Sequence, residues 1–115
     1  MQRVAIEALR SLSELWRVSR GEAGRLLQVP EDVIALWFED PDRARLEPSR
    51  LEGVSYLIEI YEALHSFYGN QPAADDWPRR PNAYFGERTP MDRMLDGIDG
   101  IIEVHRYAIH AVVGW

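Results

Sequence analysis

The tetrapeptide Thr89-Pro90-Met91-Asp92 leaves the backbone little choice of conformation. Threonine caps a helix, and proline fits the first helical position because the N–H it lacks would have no partner there. Asp92, three residues after Thr89, completes the cap near the positive end of the helix dipole. A short helix therefore starts here. Met91, Met94 and Leu95 give it one apolar face, and Gly97 stops it after about two turns. The residues before it, from Trp77 onward, read WPRRPNAYFGER and are dense in turn formers. Trp77 to Gly97 is thus a turn-rich segment that feeds a final helix.

On either side of this segment the apolar pattern is helical. Residues 2–17 place Ala5, Ala8, Leu9, Leu12, Leu15 and Trp16 on one stripe. Ser19 caps a second helix, Glu22 completes a capping box, and Ala23, Leu26 and Leu27 form the buried face. Gln28-Val29-Pro30 breaks it, and Pro30 opens a third helix through Phe38 with Ile34 and Trp37 on one side. Residues 39–50 are charged, hold two prolines and read as a surface connection. Ser49 begins the longest helix, to about Tyr68, with Leu51, Val54, Leu57, Ile58, Tyr61, Leu64, His65 and Tyr68 on its stripe. Ile60 and Phe67 fall off that stripe and form a second apolar face, which packs within the chain or against another molecule.

Gly69-Asn70 closes the long helix, and Gln71 to Asp76 leads into the Trp77 segment, with a short turn around Asp75 to Arg79. The last helix carries Ile98, Ile101, Ile102, His105, Ala108, Ile109 and Val112 on one face, with Glu103, Arg106 and His110 on the other. Trp115, the final residue, either folds back on the core or serves as a partner-facing anchor. The fold class is all-α, with six or seven helices, divided into residues 1–48 and residues 49–115.

At 115 residues the chain makes one domain, or two small subdomains that share a core. It has no cysteine, which removes disulfides, thiolate metal sites and a cysteine nucleophile. No apolar run approaches the length of a membrane span, and a cytoplasmic location is expected. All 13 basic residues are arginine. Residues 1–50 carry a net charge of −1 and residues 51–115 a net charge of −5, so the C-terminal half suits a basic protein partner better than nucleic acid.

The residues offer no catalytic or metal site. His105 and His110 are five apart, about 140° around a helix, where zinc pairs need three or four. His65 and His105 sit on apolar stripes and read as satisfied core histidines. The acid pairs Asp75-Asp76 and Asp96/Asp99 lie near helix ends, where capping and dipole terms account for them. Phosphate-loop, dinucleotide, nucleophile-elbow and HExxH signatures are all missing from the sequence, and neither an enzyme nor a bound cofactor is expected.

The stretch SRGEAGRLLQVPEDVIALW resembles the helix-turn-helix of Xre-type repressors, with Ala23 as the small residue, Val29 packing the turn, and Ile34 and Trp37 as the core pair. Its recognition helix would present Glu31, Asp32, Val33 and Leu36 to the major groove. Two carboxylates there repel the phosphate backbone, so the motif reads as a scaffold with weak or lost DNA binding. Arg17, Arg20 and Arg25 remain candidate phosphate contacts if they converge. The alternative is a stand-alone Xre-type transcriptional regulator.

Taken in order, Trp77, Pro81-Asn82, Phe85-Gly86, Thr89-Pro90-Met91-Asp92, Met94-Leu95 and Gly97 resemble the Xre/MbcA/ParS-type antitoxins, in which an Xre-like region precedes a C-terminal toxin-binding domain. The resemblance covers essentially the full length. It implies an antitoxin without catalytic activity whose cognate toxin has the NAD-depleting RES fold. It further implies a homodimer, neutralisation by covering the toxin's active site, and repression of the operon through the helix-turn-helix, from which Glu31 and Asp32 depart. Trp77, Phe85, Gly86, Thr89, Pro90, Met91, Asp92, Met94 and Trp115 are the expected platform and contact residues, with Met91, Met94 or the last helix supplying apolar contact and Trp115 plugging the toxin's entrance.

Overall fold

Helix α4 (Pro48–Tyr68) is the axis on which the other helices are laid in the computed structural model, which describes residues 2–112. It follows α1 (Gln2–Leu15), α2 (Arg20–Leu27) and α3 (Glu31–Glu39), and precedes α5 (Gln71–Asp76), α6 (Pro90–Met94) and α7 (Ile98–Tyr107). Short 3₁₀ turns occupy Pro41–Arg43, Trp77–Arg79 and Ala83–Phe85, and α7 widens into a π turn over Ala108–Val112. No strand occurs among the described residues, so the all-α expectation is met.

Helix α4 starts one residue before the expected Ser49, because Pro48 takes the first helical position behind Glu47. It ends, as expected, at Gly69 with a left-handed φ of 60°. The expected stripe needs correction. Ile60 is fully buried, whereas Leu51, Ile58 and Tyr61 are only partly so. The reason is that α4 is covered by α1, α5 and α7 together, so its buried arc is wider than one stripe. Phe67 stays 52% exposed.

The stripe of α1 is rotated in the same way. Ile6, Leu9, Leu12 and Trp16 enter the core, while Ala5, Ala8 and Leu15 are half-buried beside α4. A continuous hydrophobic core runs from Ile6 through Trp37, Leu57 and Trp77 to Ala108.

The α2–α3 corner forms as the sequence demands. Ser19 Oγ accepts from the Glu22 N–H at 3.1 Å, and Glu22 Oε1 accepts from the Ser19 N–H at 3.0 Å. Ile34 and Trp37 are both buried. The residue that permits the corner is Gly24, beyond the expected Ala23: a β-carbon there would lie 2.6 Å from the Val29 carbonyl oxygen. Pro30 caps α3 from outside, and the helix begins at Glu31.

Residues 71–76, read from sequence as a connection, are a helix. The Asn70 side chain accepts from the Ala73 N–H at 3.1 Å and Pro72 fits its first turn. Asp75 and Asp76 are not caps as expected. Asp75 bonds His65 at 2.8 Å and Asp76 pairs with Arg17 at 3.3 Å. His105 bonds Glu59 of α4 at 2.7 Å, so both histidines are satisfied by carboxylates and lie only part-way into the core, about one-fifth exposed (21% and 20%).

Arg79 joins the two ends of the fold. Its guanidinium donates to the carbonyls of Trp16 at 3.1 Å and Arg17 at 2.7 Å, and to both carboxylate oxygens of Glu22 at 2.9 and 3.2 Å. Those donors satisfy the carbonyls left open where α1 ends. The Arg79 hydrogen bonds hold the Glu22 carboxyl below its usual value, ahead of the opposing effect of burial. Further along, Gly97, with φ 112°, receives the Gln28 side chain from the end of α2. The tightest approach is at Gly100, where a β-carbon would lie 1.9 Å from the Arg93 carbonyl oxygen.

Two expectations follow. Gly100→Ala drives a methyl into backbone and should cost about 3 kcal/mol, whereas Gly53→Ala, whose β-carbon meets only the ends of the Ile98 and Ile101 side chains at 3.3 and 3.9 Å, should be close to neutral; thermal unfolding of both variants compares them. For Glu22, a lowered native pKa means that its contribution is complete above the unfolded value of about 4.3 and is lost as pH falls through the native value. Glu22→Gln keeps the capping box, so the stability gap to the parent should be present at pH 7 and close on acidification in denaturant titrations.

Candidate functional site

The segment between α5 and α6 builds an aromatic cluster around Tyr107 at the end of α7. The ring of Trp77 lies nearly parallel to that of Tyr107, with centroids 6.3 Å and planes 20° apart. Tyr84 stacks on the same tyrosine at 4.2 Å and 11°, and Phe85 meets it edge-on at 5.4 Å and 76°. Offset-parallel and edge-on rings are the arrangements that the aromatic quadrupole favours. Trp77 and Phe85 are buried, while Tyr84 is 54% exposed at the tip of the loop.

That loop is closed by its own backbone. The Asn82 N–H donates to the Arg88 carbonyl at 3.0 Å, the Glu87 N–H to the Asn82 carbonyl at 3.1 Å, and the Asn82 side chain accepts from the Tyr84 N–H at 3.0 Å. Gly86 and Glu87 follow one another in the left-handed region, with φ 68° and 69°. Glycine adopts this at no steric cost and glutamate at about 1 kcal/mol, a strain that the loop's hydrogen bonds hold. A β-carbon at Gly86 would touch nothing within 4 Å, so glycine is required there for its backbone and not for space.

Beneath the loop, the Thr89–Asp92 capping box is complete, with bonds of 3.0 and 3.1 Å, and Pro90 is buried. Met91 and Met94 are fully buried. This corrects the expectation that they offer apolar contact to a partner: Met91, Met94 and Leu95 all turn inward as the base of the platform. Arg93 fixes α6 to α7 through Glu103 at 2.7 Å and Asp96 at 3.1 Å. Bonding to Glu103 raises its pKa further, so the charge is permanent.

At the edge of the cluster, the Arg80 guanidinium sits 5.8 Å from the centroid of the Tyr68 ring and donates to its hydroxyl at 3.4 Å. Tyr68 in turn meets the exposed Phe67 edge-on. The accessible chemistry is therefore aromatic and cationic. Tyr84 and Arg80, both exposed, are held by contacts within the chain. Trp115 lies outside the described residues.

The candidate phosphate contacts do not gather. Arg17 is drawn to Asp76, and Arg20 and Arg25 are exposed on α2, five residues and hence about 140° apart. Glu31 and Asp32 are exposed in the first turn of α3. Among the described residues no group of three or more histidines and carboxylates is placed to hold a metal ion, and no helix is long and apolar enough to cross a membrane.

Sequence reasoning missed Tyr84, Tyr107, Arg79 and Gly100. Gly100 carried a signal, since a mid-helix glycine costs about 1 kcal/mol and marks a close approach. Tyr107 was legible as the continuation of the buried row Ile101 and Val104. Nothing local marked Arg79, whose partners are 57 to 63 residues away.

Residues 63–107 match the family model described as the antitoxin Xre/MbcA/ParS C-terminal toxin-binding domain. The matched span runs from the last turns of α4 to the end of α7 and contains the aromatic cluster, its loop and both capping residues of α6. The uncharacterized protein y4oB of Sinorhizobium fredii (strain NBRC 101917 / NGR234) is 28% identical over 102 residues, which is 88% of this chain and 76% of that protein. Over residues 63–107 the chain is thus similar to the C-terminal toxin-binding domain of the Xre/MbcA/ParS antitoxins.

Proposed function

We propose that this chain is the antitoxin of a toxin–antitoxin pair, that its partner is a RES-type, NAD-depleting toxin, and that it neutralises the toxin by binding over the active site. The observation that carries this reading is the family match over residues 63–107, which falls on the part of the fold where the exposed, pre-stacked Tyr84 stands on a buried base. In this reading residues 49–115 are the toxin-binding unit and residues 1–48 its helix-turn-helix scaffold. Trp77, Phe85, Gly86, Thr89, Pro90, Met91, Asp92 and Met94 shape the platform, and Tyr84 and Phe67 are its contact anchors. The antitoxin has no catalytic role, takes no cofactor, and acts as a homodimer in the cytoplasm.

A second role, repression of its own operon, is favoured by the formed α2–α3 corner and opposed by Glu31 and Asp32 at the reading end of α3. Weak, salt-sensitive binding to promoter DNA is the corresponding expectation; tight, sequence-selective binding by the protein alone would make it a DNA-reading regulator.

The decisive experiment is co-expression with a RES-type toxin, sought in the reading frames beside its own gene. Growth and cellular NAD should be preserved by the antitoxin and lost without it, and unchanged NAD depletion in its presence would refute the pairing. Tyr84→Ala should fold normally, because the ring is half exposed, and should weaken the complex by about 2 kcal/mol, roughly 30-fold in Kd. Calorimetry or surface-binding kinetics reads that change, and an unaltered affinity would remove Tyr84 from the interface.

A further inference from the structure

Among the described residues, three that are not glycine hold the left-handed backbone: Arg17 at φ 56°, Gln28 at 58° and Glu87 at 69°. A side chain is strained there, so something must hold each of them in place. For two of the three the reason lies inside the chain. Arg17 pairs with Asp76 at 3.3 Å, and its carbonyl accepts from Arg79 at 2.7 Å. The Gln28 side chain donates to the Arg25 carbonyl at 2.6 Å and packs on Gly97, and the Gln28 carbonyl accepts from Arg50 at 3.0 Å. Both residues join one element to another.

Glu87 differs. Its N–H donates to the Asn82 carbonyl at 3.1 Å and closes the loop, but glycine or asparagine would supply that N–H with less strain. Its side chain is exposed, and its carboxylate has no hydrogen bond or ion pair among the described residues. The cations nearest in sequence are engaged elsewhere: Arg88 donates to the Asp92 carbonyl and lies 3.7 Å from Asp96, and Arg80 lies against Tyr68. The neighbouring acids are engaged too, Asp92 in the capping box, and Asp96 and Glu103 on Arg93. The loop thus keeps an acid in a conformation that favours glycine, and that acid stabilises nothing within the chain. Strain of this kind marks a functional position.

The chemistry of the position says what it takes. A carboxylate accepts hydrogen bonds and carries a negative charge, so it fits a guanidinium or an ammonium and repels phosphate. Tyr84, three residues away on the same closed loop, is exposed as well. An exposed ring and an unpaired carboxylate on one short loop suit a basic side chain, whose stem covers the ring while its head meets the carboxylate. The acidic C-terminal half draws a partner of the same sign.

We propose that Glu87 is a specificity-determining contact for the toxin: its carboxylate pairs with a basic side chain of the toxin, arginine or lysine, whose stem lies against Tyr84. This rests on the antitoxin reading and adds to it the chemistry that the loop tip recognises.

Stability and affinity, measured side by side, test it. In the free chain Glu87→Gln should unfold at the parent's Tm, and Glu87→Gly at the same temperature or higher, because glycine is unstrained there. A clearly lowered Tm in Glu87→Gln would give the carboxylate an internal role and overturn the proposal. Binding should move the other way. With a RES-type toxin that the parent chain neutralises in co-expression, Glu87→Gln and Glu87→Gly should each raise Kd about tenfold. Glu87→Asp keeps the charge and should bind more tightly than Glu87→Gln. The parent's affinity should also fall more steeply with salt than that of Glu87→Gln. An unaltered affinity or an equal salt dependence in Glu87→Gln would overturn the contact, while protection of the cells by the parent leaves the antitoxin reading standing. Failure of the parent to protect against any neighbouring RES-type toxin would refute that reading, and the contact with it.

Discussion

The arrangement of this molecule depends on one guanidinium. Arg79 stands in a 3₁₀ turn far along the chain, yet its partners belong to the end of α1 and the first turn of α2. The end of α1 needs such a group, because Arg17 turns left-handed there and the preceding carbonyls lose their helical donors. A lysine would not replace it, since one ammonium cannot span two carbonyls and a carboxylate in a fixed plane. The contact is only about one-quarter exposed on each side, with side-chain exposures of 23% and 28%, so it is less screened than a surface pair. It makes the position of the aromatic segment a function of the α1–α2 junction, and the reverse.

Much of this was legible in the sequence where the determinants are local. The two capping boxes, Ser19/Glu22 and Thr89/Asp92, formed as written because each needs only a residue and its neighbour three positions on. The errors came where burial is decided by what arrives from elsewhere. On α4 the sequence shows a main stripe and a second face at Ile60 and Phe67, but three helices cover α4, so that Ile60 is core, Tyr61 is only partly buried and Phe67 stays exposed. Met91 and Met94 were placed on an apolar face correctly, and only the packing of α7 above them decides that this face points inward. Asp75 and Asp76 look like dipole residues until His65 and Arg17 are brought to them. The candidate site was legible as a segment and illegible as a surface: the exposed ring, Tyr84, carries no mark that distinguishes it from the buried Phe85 beside it.

The charge of the chain is also arranged differently from its sum. The C-terminal half is acidic, but four of its five arginines lie from Arg79 to Arg93, within the segment that matches the family model. Arg79 and Arg93 are tied to carboxylates of other elements, Arg88 reaches the Asp92 carbonyl, and Arg80 lies against Tyr68. The surface around the aromatic loop is therefore less acidic than the half-chain average, and half-chain charge is a guide to long-range steering only.

The contact at Gly100 has an entropic meaning beyond packing. Because the Arg93 carbonyl fills the space of a side chain, α6 and α7 meet backbone to backbone, and the ion pairs of Arg93 lock the same crossing from outside. Two helices joined this closely offer few alternative angles. A crossing held this closely loses little conformational freedom when anything packs against it, so little ordering entropy opposes association there.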